Sequence, residues 1–93
     1  MHYSEVTVYV SDNSLKCNQV LSLLDKYNIS YKKKNVTANQ SFMEELQELN
    51  IYGTPATFID ENEPILGYQK SKIKWALGIK DDDPESESKI KWF

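Results

Sequence analysis

This 93-residue sequence predicts an α/β domain in the order β-α-β-α-β-β-α. Three observations carry that expectation. Val6-Thr-Val-Tyr-Val10 is an alternating run of strand formers that leads straight into a polar turn and an apolar helical stripe. Helix-start signals stand at Asp12-Asn-Ser14 and again at Ser41-Phe-Met-Glu44. Two short apolar runs, Ala56-Thr-Phe-Ile59 and Pro64-Ile-Leu-Gly67, flank the polar turn Asp60-Glu-Asn-Glu63 and read as a hairpin.

Taken in order, the first strand covers Val6 to Val10, and Asp12, Asn13 and Ser14 are each good helix N-caps. A helix is expected from about Leu15, with Cys17, Val20, Leu21 and Leu24 at i, i+3, i+4 and i+7 and Tyr27 a turn beyond. Cys17 therefore lies in the first turn, where unpaired N–H groups and the helix dipole favour a thiolate. It also belongs to the apolar stripe, which suits a buried cysteine packing as a small hydrophobe. Asn28 suits the helix end. The strand expected over about Ile29 to Val36 is made polar by Tyr31-Lys-Lys-Lys34, which fits a sheet edge.

The capping box Ser41-Phe-Met-Glu44 opens a second helix, with Phe42, Leu46 and Leu49 as its buried stripe. Ile51-Tyr-Gly-Thr-Pro55 ends it. Pro64 lacks an N–H and so fits the start of a strand or an edge. Ser71 is expected to cap a last helix that turns Ile73, Ala76 and Leu77 inward and stops at Gly78.

These elements define a globular domain over residues 1–79. Residues 80–93 follow as an acidic linker, Lys80-Asp-Asp-Asp-Pro-Glu-Ser-Glu-Ser88, and a tail, Lys89-Ile-Lys-Trp-Phe93. The linker has no apolar residue and reads as flexible. Ser88-Lys-Ile-Lys-Trp92 repeats Ser71-Lys-Ile-Lys-Trp75 residue for residue, so the tail carries a second copy of a helix face and a route to self-association.

A net charge of −3 argues against nucleic acid as a partner. No apolar run approaches a membrane span and no signal-peptide core stands at the start, so no membrane partner is expected and the expected address is the cytoplasm. One cysteine allows no internal disulfide, and with His2 the only histidine no metal site is expected.

Three motifs at these separations resemble the thioredoxin-like fold, in its glutaredoxin and NrdH-redoxin branch, over about residues 5 to 79. Val8-Tyr-Val10 followed by Ser14-Leu-Lys-Cys17 falls where those redoxins have a strand and then C-x-x-C. Gly53-Thr-Pro-Ala56 falls where they have a T-V-P or T-P segment with a cis-proline. Gly67-Tyr68, followed by Ser71-Lys-Ile73, resembles the G-F-x-x-x-x-[IL] ending of NrdH-type redoxins. The resemblance implies a four-stranded mixed sheet flanked by helices, and thiol–disulfide exchange as the family chemistry. It also implies a substrate surface at Thr54, Pro55, Gly67 and Tyr68, with a disulfide-bearing protein or small thiol, and a reductase, as partners.

The departure from the motif decides what chemistry is left. The family's attacking cysteine is Ser14 here, natural or introduced, and the one thiol, Cys17, stands in the resolving position. A hydroxyl cannot replace a thiol in disulfide exchange, so a dithiol cycle is closed to this chain. The glutathione determinants are also poor: Ser11 stands where glutaredoxins often have a lysine, and Gly67-Tyr68 lacks the second glycine and the aspartates. No cofactor is expected. The sequence leaves a redox protein working through Cys17, with Ser14 as cap and hydrogen-bond donor. Its alternative is a non-catalytic binding module on a redoxin scaffold.

Overall fold

A computed structural model of the protein describes residues 5–79. It shows β1 (Val6–Val10), α1 (Leu15–Lys26), β2 (Lys32–Asn35), α2 (Gln40–Glu48), β3 (Ala56–Ile59), β4 (Ile65–Leu66) and α3 (Lys70–Ala76). The strands form one mixed sheet in the order β2-β1-β3-β4. β1 runs parallel to β2, with Val8 opposite Lys33 and Val10 opposite Asn35. It runs antiparallel to β3, with Val8 opposite Thr57 and Tyr9 opposite Ala56. β3 and β4 make the expected antiparallel hairpin. The lysine-rich β2 is the edge that its polarity suggests, and charges on an exposed edge oppose pairing with other chains.

Strict alternation in β1 sorts the core into two layers. Val6, Val8 and Val10 pack with Cys17, Val20, Leu23 and Leu24 of α1, with Ile59, Ile65 and Ile73 completing the cluster. Tyr9 points the other way, into a smaller cluster with Val36, Leu46, Ile51 and Ala56. At the rim of that second layer the Tyr9 hydroxyl donates to Glu45 Oε1 at 2.7 Å, and Lys34 Nζ donates to the same oxygen at 3.0 Å. No helix among the described residues is long and apolar enough to cross a membrane.

All three helices end alike. In α1 the Asn28 N–H bonds to Asp25 O and the Ile29 N–H to Leu24 O. The same pair of bonds recurs at Asn50 and Ile51 after α2, and at Gly78 and Ile79 after α3. Asn28, Asn50 and Gly78 have φ of 57°, 63° and 74°, the left-handed turn that asparagine and glycine accept most readily.

Three expectations need correction. α2 is capped by Asn39, two residues before the capping box. The Asn39 side chain accepts from the Ser41 N–H at 3.0 Å and from the Ser41 hydroxyl at 2.6 Å, so Ser41 is consumed as a donor inside the first turn. Leu49 is 55% exposed: it is the helix C-cap, and the turn hands its place in the core to Ile51. α3 starts at Lys70 with Gln69, not Ser71, in the N-cap position, because the Gln69 carbonyl already accepts from the Ile73 N–H at 3.0 Å. The Gln69 side chain donates to Leu66 O instead of capping. His2 and the segment 80–93, with its repeated Ser-Lys-Ile-Lys-Trp, lie outside the described residues.

Candidate active site

The site begins where β1 runs out. Ser11, Asp12 and Asn13 turn the chain, with Asn13 at φ 57°. The turn is tied to the end of β2 by Asn35 Nδ2, which donates to Asp12 Oδ1 at 2.9 Å, and by the Asp12 N–H, which donates to Thr37 Oγ1 at 3.1 Å. Ser14 is extended (φ −117°, ψ 118°), and its hydroxyl accepts from the Cys17 N–H at 3.3 Å. One of the four unpaired N–H groups at the helix start is thereby satisfied.

Cys17 is 1% exposed and belongs to the main core cluster, yet its sulfur is not in an apolar hole. The Ser11 N–H points at Sγ from 3.5 Å, and the Ser11 hydroxyl lies 4.0 Å from it. That hydroxyl also shares a 2.8 Å hydrogen bond with Thr54 Oγ1. Burial is the largest single influence and pushes the thiol up. Hydrogen bonding from the Ser14 side chain, the Ser11 backbone, and the Thr54 and Ser11 hydroxyls together outweighs it and holds Cys17 below the ordinary thiol range. The stabilisation is of the thiolate, because these groups lose more when the sulfur carries a proton than when it carries a charge.

Thr54 enters from the far side of the sheet, in the loop between α2 and β3. The Thr54–Pro55 bond is cis. Pro55 is fully buried, and its carbonyl accepts from the Gly67 N–H at 2.8 Å. Gly67 sits at φ 77°, so the chain leaves β4 in a left-handed turn beside Pro55. Of the residues singled out from sequence, the structure thus joins Ser14, Cys17 and Thr54 around one sulfur, with Pro55 and Gly67 linked behind Thr54.

Tyr68 is elsewhere. It lines a recess of about 330 Å³ beside α1, together with Leu15, Leu23, Lys26 and Lys70. Leu15, directly after Ser14, is 73% exposed and joins the two areas. Sequence reasoning missed Ser11, which it weighed only as a missing lysine; its backbone and side chain both face the sulfur. The available signal was its place one residue past a strand that ends beside a helix-start cysteine.

A single buried thiol beside Ser11 at the start of the first helix, on a β2-β1-β3-β4 sheet, defines a thioredoxin-like protein. Its particular branch follows from comparison: the family model for glutaredoxin matches residues 6–63, and the chain belongs to the glutaredoxin family. Among curated proteins it is similar to the Gene 56 protein of Mycobacterium phage D29, 26% identical over 72 residues, covering 76% of this chain and 80% of that one. Among solved structures it is similar to the thioredoxin-like protein BC3987, with a TM-score of 0.72 and 24% identity, over 78% of this chain and 100% of that one. It is also similar to the NrdH-redoxin of Escherichia coli, with a TM-score of 0.70 and 14% identity, over 76% and 92% of the two chains. At these identities the two structures speak for the fold alone.

Proposed function

We propose that this protein is a single-thiol redoxin in which Cys17 exchanges with a disulfide-bearing protein or small disulfide in a reducing compartment such as the cytoplasm. Membership of the glutaredoxin family supports thiol–disulfide chemistry in general. The observation that carries the specific reading is the set of hydrogen-bonding groups around Cys17, which favours the thiolate despite burial. A thiolate is the attacking form in exchange.

The step balances without an added oxidant. The Cys17 sulfur attacks one sulfur of the incoming disulfide. A Cys17–S bond forms as the partner S–S bond breaks, and the partner's other sulfur leaves as a thiolate and takes up a proton. A second thiol, from a small thiol or a reductase, then attacks the mixed disulfide and releases Cys17. In this reading Ser14 caps the helix and donates to the sulfur, Ser11 and Thr54 hold the negative charge, and Thr54, Pro55, Gly67 and Tyr68 bound the surface the partner meets. Glutathione is one thiol of the right chemistry, although its usual contacts are poorly represented.

A second reading has its own observation. With Cys17 only 1% exposed, the chain would serve as a binding module, and its partner would meet the Leu15 and Tyr68 surface without any covalent step. Incubation of the folded protein with a small symmetrical disulfide, followed by mass spectrometry, separates the two. The redox reading expects one adduct at Cys17 that a thiol reverses. An unmodified protein after prolonged exposure leaves the binding module.

A further inference from the structure

The outer side of α3 carries a feature the redox site does not use. Trp75 is 84% exposed, the most exposed large apolar side chain among the described residues. It lines a recess of about 170 Å³ with Ser71, Lys74 and Ile79. Lys74 itself is folded inward, its ammonium 5.4 Å from the Tyr27 ring. An exposed indole beside an apolar recess is a surface with unspent binding area.

We propose that the occupant of this recess is the chain's own segment Ile90-Lys-Trp-Phe93, docked in cis against Trp75 and Ile79. Three facts on the molecule support this occupant over another. Ile79 is both a wall of the recess and the residue from which the remaining 14 residues depart, so the tether starts at the site. The ten residues from Lys80 to Lys89 reach roughly 33 Å when extended, ample for a return along a seven-residue helix, and closing such a loop costs little more than closing a shorter one. The charges also match. α3 presents Lys70 and Lys72 outside the core and carries no acid, whereas the connecting segment carries Asp81, Asp82, Asp83, Glu85 and Glu87. The acidic stretch thus lies along the basic helix while Ile90, Trp92 and Phe93 supply the apolar contact.

The protein's two tryptophans, Trp75 and Trp92, are the two sides of the proposed contact, and so report on it directly. Trp92→Phe leaves Trp75 as the only tryptophan, excited selectively at the red edge of the spectrum, with an aromatic tail intact. A second chain carrying Ile90→Asp, Trp92→Asp and Phe93→Asp leaves Trp75 as the only tryptophan with a tail that cannot dock. Acrylamide quenching of Trp75 is expected to be at least twofold weaker in the first chain than in the second. That protection should be the same from 1 to 100 µM protein. Equal quenching in the two chains overturns the proposal. Protection that disappears on dilution overturns it as well, because the occupant is then a second copy. All substitutions fall outside the described domain, so its folding is not at stake.

Discussion

Two helices in this molecule start in the same way, and only one of the starts is a site. Ser14 and Asn39 are both extended N-caps whose side-chain oxygens accept a first-turn N–H, from Cys17 in α1 and from Ser41 in α2. Both starts share the dipole and the unpaired N–H groups. At α2 the third residue is Phe42, and the cap oxygen is already doubly used by Ser41. At α1 the third residue is Cys17, the turn before the helix brings Ser11 against its sulfur, and the loop before β3 brings Thr54 onto the Ser11 hydroxyl. A capped helix end is therefore only a frame. What makes chemistry available is a titratable group at the third position together with donors that have no other charge to serve.

The comparison can be broken at several levels. The largest effects come from the leucines that seat the two helices. Leu24 and Leu46 are both fully buried, and either one changed to alanine should cost about 3 kcal/mol, read as a shift in the denaturant midpoint. Leu24→Ala should also loosen the layer that contains Cys17 and speed its exchange with bulky reagents, whereas Leu46→Ala should not.

The caps sharpen it. Ser14→Ala and Asn39→Ala should each destabilise the protein by about 1 kcal/mol. Only Ser14→Ala should raise the Cys17 pKa, because the Ser14 hydrogen bond is the foremost influence lowering it. The same linkage appears in stability against pH. Since the folded thiol lies below its ordinary value, the unfolded chain binds the extra proton between the folded pKa and about 8.5. Stability should rise with pH across that window, be fully present above it, and be lost as pH falls through the folded pKa. Cys17→Ala should flatten the rise. The test is kept below pH 10, since Tyr9, raised first by burial and then by Glu45, acts in the opposite sense there.

Smaller effects are expected away from the sulfur. Thr57 shares the Cys17 side of the sheet, opposite Val8, and its hydroxyl is buried without a hydrogen-bond partner. Thr57→Val should stabilise the protein by up to about 1 kcal/mol, visible as a higher thermal midpoint. On the α2 side, Lys34→Met removes the solvent-screened ion pair to Glu45 and should leave the thermal midpoint little changed, with Cys17 reactivity unchanged.

How much of this could be read from the residues follows the same divide. The β1–turn–α1 unit was legible because alternation, cap and helical spacing all agree over Val6 to Leu24. The four-stranded mixed sheet followed from the resemblance, and the polarity of β2 marked its edge. Two helix starts were misplaced, at Ser41 and Ser71, because sequence offers several capping residues within one turn and only the three-dimensional competition selects among them. Leu49 was misplaced because the left-handed turn at Asn50 passes its slot to Ile51. For Ser11 the only signal was its place just past the end of β1, before a helix-start cysteine. Its role exists only where the end of β1, the start of α1 and the Thr54 loop converge, which is a product of topology. Tyr68, read as part of the same surface, lines the recess beside α1 together with Leu15, which directly follows the cap Ser14.

The most direct test of the central claim is the rate of Cys17 alkylation against pH in the folded protein, with Ser14→Ala as reference. The account predicts reaction without denaturant, an apparent pKa below the free-thiol value of about 8.5, and a midpoint displaced upward by Ser14→Ala. A midpoint at or above the free-thiol value, or no reaction until the protein is unfolded, would contradict it and leave Cys17 as a packing residue of the core.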